Sequence, residues 1–369
     1  MTAETSRDSN DSAGPAAVCL VDDELFLAHV APPEHPERGE RLLAVREGLA
    51  RAEAALGAGA RYTRLSAADV TPEQLARVHD SAHVAQLGHL AGKQGLLDSD
   101  TYLSPGSVPA ALRAAGAAVA LVDALVDGAA TRGFALPRPP GHHALADRAM
   151  GFCLLNNVAV AAAHARARGR RRVVVLDWDV HHGNGTEAIF YDDPSVLFIS
   201  LHQFPNYPGT GAEGDIGSQE GRGKTVNLPL PAGGADALYE AAFGRIVLPI
   251  IEQFSPDLAL VSCGFDAHAR DPLAAMGLSS AAYGHMTTSL MHHLPPGCPL
   301  GLVLEGGYDL QALTESSEAV GRALLASSAS SASSASSASA SSSHPALSSE
   351  GEAALRQVQR TQASYWKLP

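Results

Sequence analysis

VVVLDWDVHHGNG, residues 173–185, joins an unbroken apolar run to a cluster of ionisable side chains. A continuous β-branched stretch reads as a strand buried on both faces, as in parallel sheets. It runs into Asp177, Asp179, His181 and His182. Charge at the end of a buried strand is costly unless it is paired or metal-bound. Alternate residues of an extended chain share a face, so Asp177, Asp179 and His181 point one way. Asp179 and His181 can then offer an oxygen and a nitrogen to one metal ion. A hydrogen-bonded Asp–His strand terminus gives the same short pattern.

Working outward, similar apolar runs occur at 195–201, 225–230, 258–262 and 300–305. Ala- and Leu-rich helical segments lie at roughly 108–127, 157–168, 236–253 and 280–294. Such alternation predicts a single α/β domain, a central and mostly parallel sheet with helices on both faces. Ligands of open parallel sheets bind beyond the C-terminal strand ends. The polar groups of this chain gather there.

LALVSCGFDAH, residues 258–268, brings a second strand to a carboxylate, Asp266. Two carboxylates and one imidazole make a three-ligand set with a position left for water, the arrangement of a catalytic zinc. A helix N-cap is the other reading of Asp266. PRPPGHHALADRAMGFCLLNN, residues 137–157, puts His142 and His143 on a constrained loop, where they could serve as general base and acid. VLEGGYD, residues 303–309, follows a strand with two glycines and Tyr308. Its hydroxyl could donate to a carbonyl oxygen as charge develops, although a tyrosine packed in a turn looks the same.

The 369 residues are 46% hydrophobic and 18% charged, a globular balance. A net charge of −13 argues against nucleic acid and suits cationic partners such as lysine-rich tails. Cys19, Cys153, Cys263 and Cys298 form no CxxC pair, so no disulfide framework or zinc knuckle is expected. No signal peptide and no apolar run long enough to span a membrane is expected, which gives a cytoplasmic reading, with a nucleus not excluded. Residues 1–15 read as a disordered lead and 16–325 as the catalytic domain. A Ser/Ala-rich flexible linker follows over 326–349, then a C-terminal helix over 350–369 that docks on the body.

In order along the chain, RPPGHHA, MGFCLLNN, LDWDVHHGNGT, SLHQFPNYPGTG, SCGFDAH and LEGGY resemble the histone deacetylase family, in its zinc-dependent class II-type and bacterial members. HPERGERL at 35–42 and LDSDTYLSPGS at 97–107 fit the same pattern. The resemblance spans roughly residues 17–325 and implies the arginase/deacetylase fold with an eight-stranded, mostly parallel sheet. It implies Asp179, His181 and Asp266 as zinc ligands, His142 and His143 as the catalytic pair, and Tyr308 as the group that polarises the scissile carbonyl. Asp177 would orient His142. With Asp179, His181, Ser200 and Leu201 it would also hold potassium, and a second potassium would lie near Phe190, Asp193 and Val196. Phe152 and Tyr207 would wall a tunnel for the acyl-lysine stem, Gly151 would line it, Asp100 would meet the substrate backbone, and Arg38 would lie by an exit path for acetate.

Asn184 stands where class I members carry Asp, so His143 has no carboxylate partner and should be less easily protonated. Tyr207 replaces the more usual Phe. Leu273 takes the rim position that carries Glu in polyamine-specific relatives. The expected activity is hydrolysis of acyl-lysine amides. The alternatives are a deacetylase of small acylated amines, a non-catalytic acyl-lysine binding module, and a two-manganese ureohydrolase, whose ligand count the sequence does not supply. An oligomer is left open.

Overall fold

β6 (Val173–Asp177), β7 (Val196–Gln203), β8 (Thr225–Leu230), β9 (Leu258–Cys263) and β10 (Leu300–Leu304) are the apolar runs, and nearly every residue in them is buried. The structure, a computed structural model, describes residues 18–57, 60–326 and 347–369. Three further strands complete the sheet: β1 (Val18–Val21), β2 (Tyr62–Leu65) and β5 (Arg132–Ala135). The order is β2-β1-β5-β10-β9-β6-β7-β8. Every pairing in it is parallel, so the sheet is wholly rather than mostly parallel. A small antiparallel pair, β3 (Gly95–Leu96) and β4 (Tyr102–Leu103), stands apart and carries Asp98 and Asp100 in its turn.

β10, β9 and β6 are neighbours at the centre of the sheet. In register, Asp177 lies opposite Ser262 of β9 and Ser200 of β7. The segments that leave these strands therefore emerge side by side at one edge.

Among the helices, Ser107–Val126 packs its alanine-rich face on β1, β5 and β10. It corrects one expectation: its 20 residues are long and apolar enough to cross a membrane by length and composition, although 72% of that stretch is buried in the fold. Gly39–Leu56 and Leu310–Leu325 pack against each other at very short range. A Cβ on Gly48 would sit 2.1 Å from Ser317 Oγ, and Thr314 Oγ1 donates to Ala44 O at 3.1 Å.

The expected lead over 1–15 and nearly all of the Ser/Ala stretch lie outside the described residues. Beyond that stretch the helix Ser349–Gln362 packs on β8, an edge strand. Gln362 Nε2 donates to Thr225 O at 3.2 Å and Trp366 Nε1 to Gly223 O at 3.0 Å. These bonds occupy carbonyls at the start of that edge, which another strand could otherwise use.

His79 buttresses the loop that leads out of the His142–His143 turn. Its Nδ1 donates to Leu145 O at 3.0 Å and its Nε2 accepts from Asn156 N at 2.9 Å, so the buried ring is held neutral. Burial, helped by His83, pushes its pKa down from 6.5 to about 4. Below pH 6.5 the unfolded chain takes up a proton that the folded chain refuses, so stability falls as pH drops through this window. The loss from this residue should reach about 3 kcal/mol by pH 4. Denaturant unfolding of the protein and of His79→Gln, compared between pH 7 and pH 5, should show the shallower slope in the variant.

Candidate active site

Asp179 and His181 follow β6, and Asp266 follows β9. Ligand atoms of the three lie within 4.8 Å of one another. His181 Nδ1 stands 3.2 Å from Asp179 Oδ1 and 3.2 Å from Asp266 Oδ2. Tetrahedral zinc with bonds near 2.05 Å sets neighbouring ligand atoms about 3.3 Å apart, so the spacing fits. The second oxygens are tied to the backbone: Asp179 Oδ2 accepts from Gly306 N at 2.7 Å and Asp266 Oδ1 from Val180 N at 2.8 Å. Gly306 must be glycine for this approach, because a Cβ would meet Asp266 Oδ2 at 2.1 Å.

Both carboxylates are fully buried, and among the described residues neither pairs with Lys or Arg. Burial and the charge of Asp179 push Asp266 up to about 6. Burial opposes the charge on His181, but its bonds to Asp179 and Asp266 push it up to about 10. The cluster draws positive charge, and its O, N, O donors suit a divalent ion such as zinc.

His142 and His143 lie side by side with ring centres 4.0 Å apart and planes tilted by 41°, yet they face different partners. His142 Nδ1 meets Asp177 Oδ2 at 2.9 Å. Burial disfavours its charged form, but Asp179 and Asp177 hold its pKa well above the ordinary value. His143 Nδ1 donates to Asn184 Oδ1 at 2.8 Å, which leaves Nε2 with a free lone pair. Burial and the neighbouring His142 hold its pKa well below the ordinary value.

A cavity of about 200 Å³ opens over this floor. His142, His143, His181, Gly151, Phe152, Tyr207, Leu273, Asp100 and Tyr308 all line it. Tyr207 crosses His143 edge-on at 5.1 Å, and Phe152 crosses Tyr308 at 6.0 Å. Burial pushes the Tyr308 hydroxyl well above its usual range, so it stays a proton donor in a hydrogen bond.

The residues expected to hold potassium are placed as follows. Ser200 and Leu201 lie on β7, with Ser200 Oγ 2.9 Å from His202 Nδ1. Phe190, Asp193 and Val196 form the turn into β7, where Asp193 N donates to Phe190 O and its carboxylate takes Ser195 N at 2.8 Å.

One residue is displaced from its expected place. Arg38 is exposed at the N-cap of Gly39–Leu56 and does not approach the cavity. Arg41, one turn further on, is the buried arginine: its guanidinium donates to Gly307 O and Glu305 O and lies 4.8 Å over the Tyr308 ring.

A family model described as the histone deacetylase domain matches residues 35–324. The chain belongs to the histone deacetylase family. It is 42% identical over 326 residues to Histone deacetylase 15 of Arabidopsis thaliana, covering 86% of this chain and 58% of that one. It is 43% identical over 309 residues to a Histone deacetylase-like amidohydrolase of Pseudomonas aeruginosa, covering 80% of this chain and 78% of the relative. The solved HDA15 HD domain superposes with a TM-score of 0.85 at 39% identity, over 95% of each chain. The eight-stranded sheet with surrounding helices is the fold of that deacetylase neighbour.

Within this deacetylase-family site the sequence reading missed Glu305. Its Oε2 accepts from Gly141 N at 2.7 Å and His142 N at 3.1 Å, so it holds the histidine turn by its backbone. Burial pushes its pKa up to about 8. The only signal in the sequence was a carboxylate at a strand end beside Gly306. Glu305→Ala orphans two buried N–H groups and should cost about 2–5 kcal/mol. Glu305→Gln keeps an acceptor and should cost distinctly less, as read by denaturant unfolding.

Proposed function

We propose that this chain is a zinc-dependent hydrolase that cleaves the amide of N-acetyl or similar N-acyl lysine side chains to the free amine and a carboxylate. One observation carries the reading: the buried Asp179–His181–Asp266 set reaches, through His181, a cavity that His142, His143 and Tyr308 also line. A zinc ion held there would supply a Lewis acid that polarises the acyl carbonyl and makes water acidic near neutral pH.

The protein groups do the rest. His143, with Nδ1–H directed at Asn184, turns Nε2 towards the cavity as the acceptor of the proton that water loses on attack. His142, held by Asp177, stabilises the positive charge on the pair. A histidine then returns a proton to the departing amine. Tyr308 stays protonated and donates to the carbonyl oxygen as it becomes an oxyanion.

Phe152, Tyr207 and Leu273 give the stem an apolar passage, which suits four methylenes. Leu273 favours acyl-lysine over a polyamine, whose second cation finds no carboxylate at that position. Hydrolysis of a small acylated amine is the second reading, supported by the cavity's modest volume of about 200 Å³. Potassium beside Asp177, Ser200 and Leu201, and a second ion beside Phe190, Asp193 and Val196, belong to the same proposal. The pairing of Asp177 with Ser200 supports the first. Exchange of potassium for a bulky organic cation should lower the thermal midpoint, and no change would remove both ions from the proposal.

Tyr308→Phe should fold normally and lose ~10²–10³ in turnover of an acetyl-lysine peptide. Near-normal turnover refutes the assignment. Metal analysis should find one zinc per chain in the protein and almost none in Asp266→Ala. Faster turnover of N-acetylputrescine than of the acetyl-lysine peptide would move the assignment to small amines.

A further inference from the structure

Tyr308 sits on a turn that the chain itself does not stiffen. Gly306 and Gly307 precede it, and Gly307 takes a φ of +117°, a region open to glycine. Four hydrogen bonds hold this turn, the first from Phe265 N to Gly306 O at 3.0 Å. Asp179 accepts from Gly306 N, Arg41 donates to Gly307 O, and Asp271 Oδ2 accepts from Tyr308 N at 2.7 Å. Only the last acts on the tyrosine's own main chain.

Asp271 has a second bond. Its Oδ1 accepts from Leu273 N at 3.0 Å, so one carboxylate clasps the tyrosine turn and the rim residue. Asp271 is only 7% exposed, and its own N–H is fixed to His268 O at 2.9 Å. On the outer side, Arg270 ties the same loop to Asp309 and Glu315. The carboxylate is therefore set in a braced loop, and both of its oxygens are used.

We infer that Asp271 is a positioning residue: through its bond to Tyr308 N it aims the phenol at the acyl carbonyl, and through Leu273 N it ties that aim to the rim of the tunnel. The inference rests on the role proposed for Tyr308. A hydroxyl that donates to a developing oxyanion must be placed within a few tenths of an ångström, and misplacement by about 1 Å costs on the order of 10²-fold. Two glycines beside an untethered tyrosine allow that much movement.

The test compares acetyl-lysine and trifluoroacetyl-lysine versions of one peptide with zinc-loaded protein. Fluorine withdraws electrons and makes the oxyanion less basic, so the activated amide depends less on the phenol. Asp271→Ala should lose about 10²-fold in kcat on the acetyl peptide, lose far less on the trifluoroacetyl peptide, and leave KM and zinc content near those of the unaltered protein. In a Tyr308→Phe background the same change should cost almost nothing further, because the group it positions is gone. Asp271→Asn keeps one acceptor and carries the test if the alanine variant does not fold. It should show the same bias between substrates at smaller size. Equal losses on both peptides, a change confined to KM, or a full additional loss in the Tyr308→Phe background would overturn the inference and leave the hydrolase reading intact. An unaltered protein that cleaves neither peptide would overturn both.

Discussion

Two buried carboxylates, Asp179 and Asp266, are held in contact with one imidazole, and neither pairs with a lysine or arginine among the described residues. Like charges so placed repel strongly in a medium of low polarity. Much of the surrounding structure keeps them there. Backbone N–H groups of Val180 and Gly306 bond the outer oxygens and aim the inner ones at a common centre. Gly306 lets the tyrosine turn come close enough to donate. The repulsion left over is what a divalent ion removes, so affinity for a cation is built into the scaffold.

The parallel sheet makes this crowding attainable. β9, β6 and β10 lie side by side, and each delivers polar residues from the same end. The ligands are separated by 85 residues in sequence, yet sheet register fixes their spacing. Crossover helices cover both faces, so water is kept from below while the cavity opens above. A strand-end site of this kind is rigid at its floor. Its adjustable parts are the loops that bring in Tyr308, Leu273 and Asp100.

The sequence made the floor legible because three features coincide there: apolar runs, abrupt charge and strand periodicity. The half of the sheet formed by β1, β2 and β5 was harder to read. Each of those strands has four residues, and YTRL and RGFA lack an apolar run. Braces such as Glu305 and Asp271 gave little local signal, since their partners lie 164 and 37 residues away. The arginines show the reason most clearly. HPERGER carries Arg38 and Arg41 three positions apart, and the sequence cannot say which faces inward. Helix phase decides it: Arg38 is left at the exposed cap, while Arg41 falls one turn after Glu37, pairs with it at 2.9 Å, and points under the tyrosine turn.

The same reliance on surroundings separates two adjacent histidines. His142 and His143 share a loop and lie close together, so mutual repulsion already disfavours charge on both. Which one yields depends on the residue behind each ring. A carboxylate backs His142, and a neutral amide backs His143. An aspartate at position 184 would draw both rings towards the protonated state and blur the distinction. Asn184 still fixes the tautomer of His143 through Oδ1, but adds no charge. A proton acceptor and a charge holder thus lie side by side, differentiated by one atom of the supporting shell.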